Sequence, residues 1–200
     1  MKKLKWSVVA FFAIIGVSQA QVRINSTTAT TVSTDVIGNN NNAVGSSTTL
    51  QSISTGLGTH NNAFGISALN KNLGGSYNTA VGNYSLMSNI SGIGNTGIGF
   101  NSLYLNTGSY NTAIGFESLK NNRAGNHNIG FGYQSLLLNS SGINNIAIGR
   151  EAGKTTTGSN NVFLGYQTGF NVSGSNNTII GSNIAGNSTL NNHVIIGDGS

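Results

Sequence analysis

The chain has no cysteine and no proline, and 9 basic plus 4 acidic residues make only 13 formal charges in 200 positions. Without cysteine there are neither disulfides nor thiolate metal sites, so stability has to come from hydrogen-bond ladders and packing. The charge is too scattered to bind nucleic acid. Lys2, Lys3 and Lys5 hold a third of the basic groups, and Arg23, Lys71, Lys120, Arg123, Arg150 and Lys154 are spread over the rest against four acids. No clustered phosphate-binding face results. Charge-driven disorder is excluded as well, because 37% hydrophobic residues together with 29 glycines match an ordinary folded chain. Asparagine is the excess, with 32 copies. Asn and Gly at this density supply turns and positive-φ positions, which excludes helix bundles.

Long apolar runs are also scarce. The one that stands out, Trp6 to Val17, follows the three lysines and precedes Ser18-Gln19-Ala20. This is the pattern of a secretory signal peptide over residues 1–20, with cleavage before Gln21. About 12 apolar residues are too few to span a bilayer, and no later segment reaches 18. The mature chain is therefore expected to have no transmembrane segment, to leave by the Sec pathway, and to reside extracellularly or at a bacterial cell surface. Residues 21–37 read as a lead-in strand or cap, and residues 38–200 as a repeat array.

The array shows itself through one recurring glycine: Gly45, Gly65, Gly82, Gly99, Gly115, Gly132, Gly149, Gly165, Gly181 and Gly197. The spacing settles at 16 or 17 residues, and the preceding residue is apolar in every copy, from Val44 and Phe64 to Ile196. Seven positions upstream stands a second glycine, Gly38 through Gly174, with Asn three residues after it. The consensus is G-x-x-N-x-A-I-G. Leu69, Leu86, Leu103, Leu119 and Leu136 lie four residues after the key glycine; later copies carry Gly153, Gly169 and Ala185 there, which predicts a slimmer second half.

A unit of this length accommodates two strands of four or five residues and two tight turns. Stacked in parallel at about 4.8 Å per coil, ten units make an all-β rod roughly 48 Å long. Strand alternation predicts that the large residue before the key glycine points inward. The small slot two before the key glycine (Ala43, Ala63, Ala80, Gly97, Ala113, Gly130, Ala147) then forms a flat outer face open to another backbone. With about two large apolar side chains per coil, a lone rod buries little, so self-association through that flat face is expected.

The segments N-T-A-V-G at 78–82, N-T-A-I-G at 111–115 and N-I-A-I-G at 145–149 resemble the head repeats of trimeric autotransporter adhesins, the YadA-like head family, over about residues 38–197. Similar Asn/Gly-rich arrays occur in phage-tail-fibre-like secreted proteins. The resemblance implies a left-handed parallel β-roll, a homotrimer, and non-enzymatic adhesion to an extracellular protein or glycan. No stalk or membrane-anchor segment of the family is expected within residues 38–200, and the repeat is a couple of residues longer. The last coil is expected to expose Ile195 and Ile196 without a polar cap, as in a truncated array or an end covered by a partner.

Candidate sites are weighed against this background. Gly92-Ile93-Gly94-Asn95-Thr96-Gly97 spells G-x-G-x-x-G, but Gly92 and Gly97 are repeat slots and no helix is expected to follow. Gly149 to Thr155 is one residue short of a phosphate-binding loop. No cofactor is expected. Glu117 and Glu151 fall two coils apart, about 9.6 Å, without an evident charge partner, and read as solubilising charges. His60 and His127 share a turn slot about 19 Å apart, too far for one metal ion. Tyr77, Tyr110, Tyr133 and Tyr166 lie on turns or edges as possible ligand contacts. Two other classes compete with adhesion. A curli-like matrix subunit polymerising through its uncapped coils needs glutamine ladders, for which Gln21, Gln51, Gln134 and Gln167 are scant material. An ice-binding solenoid needs a threonine array, but Thr79, Thr96, Thr112 and Thr178 share a slot interrupted by Ile129, Ile146 and Val162.

Overall fold

The computed structural model describes residues 30–34, 40–46 and 58–199. The leader at 1–20 and most of the lead-in lie outside those residues. Eleven strands form one sheet in chain order: β1 (Thr30–Thr34), β2 (Asn42–Ser46), β3 (Asn62–Phe64), β4 (Thr79–Val81), β5 (Thr96–Ile98), β6 (Thr112–Ile114), β7 (Ile129–Phe131), β8 (Ile146–Ile148), β9 (Val162–Leu164), β10 (Thr178–Ser182) and β11 (Val194–Asp198). Strand β1 runs antiparallel to β2, and every later pairing is parallel. Register follows the sequence period, with Ala63 opposite Ala80, Ala80 opposite Gly97 and Gly97 opposite Ala113. The protein is an all-β parallel solenoid, one coil per repeat.

Each coil has one strand, usually of three residues, where the sequence predicted two of four or five. The second side is still tied from coil to coil, as in Leu69 N–H to Ser85 C=O at 3.0 Å and Lys71 N–H to Met87 C=O at 3.0 Å. What prevents a strand there is left-handed backbone two and four residues after the key glycine. Glu117 has φ 54° and Leu119 φ 51°, and equivalent residues repeat these values. The key glycines turn the corner between the sides at φ 123° to 143° from Gly65 to Gly181. A Cβ there would also strike the next coil, 2.5 Å from the Gly115 oxygen in the case of Gly99. Glycine is required on both counts.

The strand faces the opposite way from the expectation. The small slot is inside: Ala63, Ala80, Ala113 and Ala147 are fully buried, whereas Phe64 and Phe131 are each 52% exposed. The interior is already full. A Cβ on Gly97 would lie 2.6 Å from Ser85 Oγ and 3.3 Å from Leu86 Cγ, so nothing larger than alanine fits beside the leucine column. Volume, rather than hydrophobicity, decides which side of the strand is inward.

Two columns of buried asparagine fill the rest of the core. In the strand-entry column, the backbone N–H of Asn95 donates to Asn78 Oδ1 at 2.9 Å, and Asn95 Nδ2 donates to the Gly108 carbonyl at 2.9 Å. Asn111 repeats both bonds with Asn95 and Gly125. A second column, Asn72, Asn89, Asn106, Asn122 and Asn139, bonds amide to amide at 2.8 to 3.2 Å. Buried amides survive because each coil completes the valences of its neighbour. The upstream glycines make room for these bonds: a Cβ on Gly108 would lie 2.0 Å from the Gly125 oxygen.

The second column ends where the leucines end. Thr156 and Val172 take the asparagine slot, and Asn139 Oδ1 and Thr156 Oγ1 are buried without a hydrogen bond at the seam. The second half is not simply thinner. Phe163 occupies the small slot of β9, fully buried, and its ring lies 2.6 Å from where a Cβ on Gly153 would be and 2.1 Å from one on Gly169. One phenylalanine thus replaces two leucines of neighbouring coils.

Candidate functional site

Because the coil interior is consumed mainly by Leu, Ala, Ser and Asn, with Phe163, Val172 and Ile179 in the second half, most other large side chains are displayed in columns on the outside. Flanking the key glycines are two such columns. One consists of the residues before them, including Phe64, Val81, Ile98, Phe131, Ile148 and Leu164, all exposed. The other, immediately after the glycines, is aromatic. Phe100 stacks on Phe116 at 5.3 Å and Phe116 on Tyr133 at 5.4 Å, and Tyr84, from the slot one residue further on, meets Phe100 edge-on at 5.8 Å. The Arg150 guanidinium then lies 5.6 Å from the Tyr133 ring and 5.7 Å from that of Tyr166. The small residues expected to form a flat outer face are thus inside, and the face open to solvent is an apolar strip running along the rod. Exposed apolar area of this continuity marks a contact surface in soluble proteins.

A third outer column lies at the turn before the buried asparagines. His60 stacks on Tyr77 at 5.0 Å and 15°, and Tyr110 on His127 at 5.0 Å and 12°. Asn40 Nδ2 is 3.0 Å from His60 Nε2. Further along, the column becomes exposed asparagines, with Asn144 donating to Asn160 and Asn160 to Asn176 at 3.1 Å each. The two histidines are tied up with tyrosines rather than with each other, and no group of three His, Cys, Asp or Glu suited to a metal ion occurs among the described residues. His193 Nδ1 lies 2.6 Å from the Asn191 carbonyl oxygen.

The four tyrosines do lie on outer columns, two in each. Their faces are partly occupied by neighbouring rings and by Arg150, which sequence spacing did not reveal. The stacking partners were nonetheless encoded in the period, since His60 and Tyr77 are one repeat apart, as are Tyr110 and His127.

The two glutamates have charge partners, contrary to expectation. Lys120 Nζ lies 2.7 Å from Glu117 Oε1 and Lys154 Nζ 2.8 Å from Glu151 Oε1. Gln134 Nε2 donates to Glu117 Oε2 at 2.8 Å and Gln167 Nε2 to Glu151 Oε2 at 2.6 Å. The two glutamines scattered in the sequence thus alternate with the glutamates in one column. Burial works to raise the Glu117 pKa, but hydrogen bonds from Lys120 and Gln134 outweigh it and hold the carboxyl below its ordinary value. At Glu151 the bonds from Gln167 and Lys154 do the same. Two carboxyls depressed together do not divide into the acid and base that glycoside hydrolysis requires.

Gly92 to Gly97 and Gly149 to Thr155 follow the solenoid path without a helix. Among the described residues no helix is long and apolar enough to cross a membrane. The threonine slot stacks as read, Thr79 beside Thr96 and Thr112, then Ile129, Ile146 and Val162. No family model, no curated protein and no solved structure matches the chain.

Proposed function

We propose that the chain is an exported, non-enzymatic attachment module, secreted or held at a bacterial surface, similar in design to the head of a trimeric autotransporter adhesin. Rods of this kind bind through many weak contacts, because each outer slot recurs along the rod and in every copy of an oligomer. The apolar strip along both flanks of the key glycines is the observation that carries this reading. On a lone rod it leaves large apolar side chains from Phe64 to Leu164 exposed in a continuous row, and three rods joined along it as a homotrimer would cover them. The other outer columns stay free to contact an extracellular protein or glycan.

A second reading is a matrix or fibre subunit. It draws on the strand-entry asparagine column, whose donors and acceptors repeat from Asn41 to Asn177 and so suit end-to-end stacking of rods. Light scattering after size exclusion, over a range of concentrations, separates the two. The expected result is a mass three times that of one chain and independent of concentration, lost when Phe64, Ile98 and Phe131 are replaced by serine. Open-ended growth favours the fibre subunit, and a stable monomer removes the trimer.

A further inference from the structure

The turn column holding the two His–Tyr stacks is interrupted at its centre. Its successive members are His60, Tyr77, Gly94, Tyr110 and His127. The backbone passes through this interruption with unchanged rise: Tyr77 N–H donates to the Thr59 carbonyl at 2.9 Å, Gly94 to Ser76 at 2.9 Å, Tyr110 to Ile93 at 2.8 Å and His127 to Ser109 at 3.1 Å. Glycine is not needed for the local conformation. Gly94 has φ 66°, and Tyr77, Tyr110, His127 and Asn144 adopt 56° to 60° at the same slot. What glycine does is omit a side chain between two exposed tyrosines. His60 covers one face of Tyr77 and His127 one face of Tyr110. The remaining faces look toward the level of Gly94, with Tyr110 leaning over it, its ring carbons 2.9 and 3.2 Å from where a Cβ would be.

The aromatic column beside the key glycines shows what such an interval holds. Tyr133 and Tyr166 are likewise two coils apart, and the planar guanidinium of Arg150 lies between them at 5.6 and 5.7 Å. The stacked pairs in the turn column are 5.0 Å apart for one coil, so two coils set the Tyr77 and Tyr110 ring centres about 10 Å apart, an interval that Tyr110 narrows by leaning toward Gly94. That is room for one planar group in contact with both rings. The electron-rich faces of two tyrosines favour a flat, weakly hydrated cation over the compact ammonium of lysine.

We propose that Tyr77 and Tyr110 form a clamp, open at Gly94, for the guanidinium of an arginine side chain on a partner polypeptide. The clamp is the external counterpart of the intramolecular Tyr133–Arg150–Tyr166 stack. It also gives a role to the middle glycine of the G-x-G-x-x-G segment, whose outer glycines belong to the repeat. The inference rests on the attachment reading only for its setting outside the cell. The titration below reads the clamp itself, so the clamp and the oligomer can fail separately.

The test is a titration of the full chain, labelled at the tyrosine rings, with N-acetyl-arginine methylamide, N-acetyl-lysine methylamide and methyl β-glucopyranoside, followed by nuclear magnetic resonance. The arginine compound is expected to shift the Tyr77 and Tyr110 rings saturably, with a dissociation constant on the order of millimolar for one stacked cation. The Tyr133 and Tyr166 rings, already occupied, should stay in place. The lysine compound should bind several-fold more weakly. Gly94→Arg, which supplies the guanidinium in cis, should abolish the response. Gly94→Asn, the residue this column carries at position 144, should weaken it several-fold and serves if the arginine variant fails to fold. Unmoved Tyr77 and Tyr110 rings overturn the proposal, as does an equal response to lysine. A stronger response to the glucoside also overturns it and makes the interval a sugar site.

Discussion

Asn111 shows in a single residue how this protein is held together. Its Nδ2 donates to the Gly125 carbonyl at 2.8 Å and its Oδ1 accepts from Asn128 N–H at 3.0 Å, with no solvent contact. Asparagine carries donor and acceptor on one short side chain, which is what a stack of identical coils demands of a core residue. Aspartate in its place loses the donor and buries a charge; leucine satisfies neither neighbour. Asn111→Ala strands the Asn128 N–H and leaves a small void, so it should cost about 2 to 3 kcal/mol. Asn62 is the matched control: exposed, its Oδ1 accepts from Asn42 Nδ2 at 2.9 Å, and its replacement by alanine should cost less than about 0.5 kcal/mol. Urea midpoints of the two variants, measured side by side, check the contrast. Equal shifts would mean that the buried column contributes no more than a surface amide.

At the scale of the coil, the core is a volume shared among slots that lie far apart in sequence. Leu103 and Leu119 fill it in the first half. In the second, Phe163 fills it across the gaps left by Gly153 and Gly169, whose φ of 58° and 65° keep the left-handed turn that leucine holds at 51° elsewhere. Phe163→Ala alone should cost about 3 to 5 kcal/mol. Combining it with Gly153→Leu and Gly169→Leu restores the first-half pattern and should recover most of that loss. Either leucine added without removing the phenylalanine should destabilise the fold, since the ring already stands within 2.6 Å of both Cβ positions. Denaturation of the single, double and triple variants gives the coupling directly. Additive losses would show that the slots do not share one space. The same exchange explains what was legible in the sequence and what was not. The period, the glycine and asparagine columns and the stacking of slots can be read from spacing alone. The inward side cannot, because Phe64 and Ala63 alternate as any strand does, and the choice between them depends on how much space Leu69 and the asparagines leave. The outer stacks were half legible: period places His60 beside Tyr77, but not the Arg150 ring contacts or the lysines that hold Glu117 and Glu151.

At the scale of the whole molecule, these interactions connect each coil only to its neighbours, so the rod should behave as a chain of nearly equivalent links rather than as one indivisible core. The key glycines at the two ends of a coil are interchangeable in conformation, Gly99 at φ 129° and Gly115 at φ 131°. Deleting residues 100–115 therefore joins Gly99 to Phe116 with every slot in register and removes only β6 with its turns. The shortened chain should fold cooperatively, be about 4.8 Å shorter by small-angle scattering, and show a denaturant slope reduced by about a tenth, in proportion to the surface lost. Deleting residues 100–107 instead removes half a coil and sets the first coil after the junction against the wrong columns of the coil before it, so the two arms should lose their stacking on each other and unfold in separate transitions. If both deletions fold equally well, register between coils is not what selects the structure. If neither folds, the coils are not independent links, and the outer columns cannot be lengthened or shortened without losing the rod that presents them.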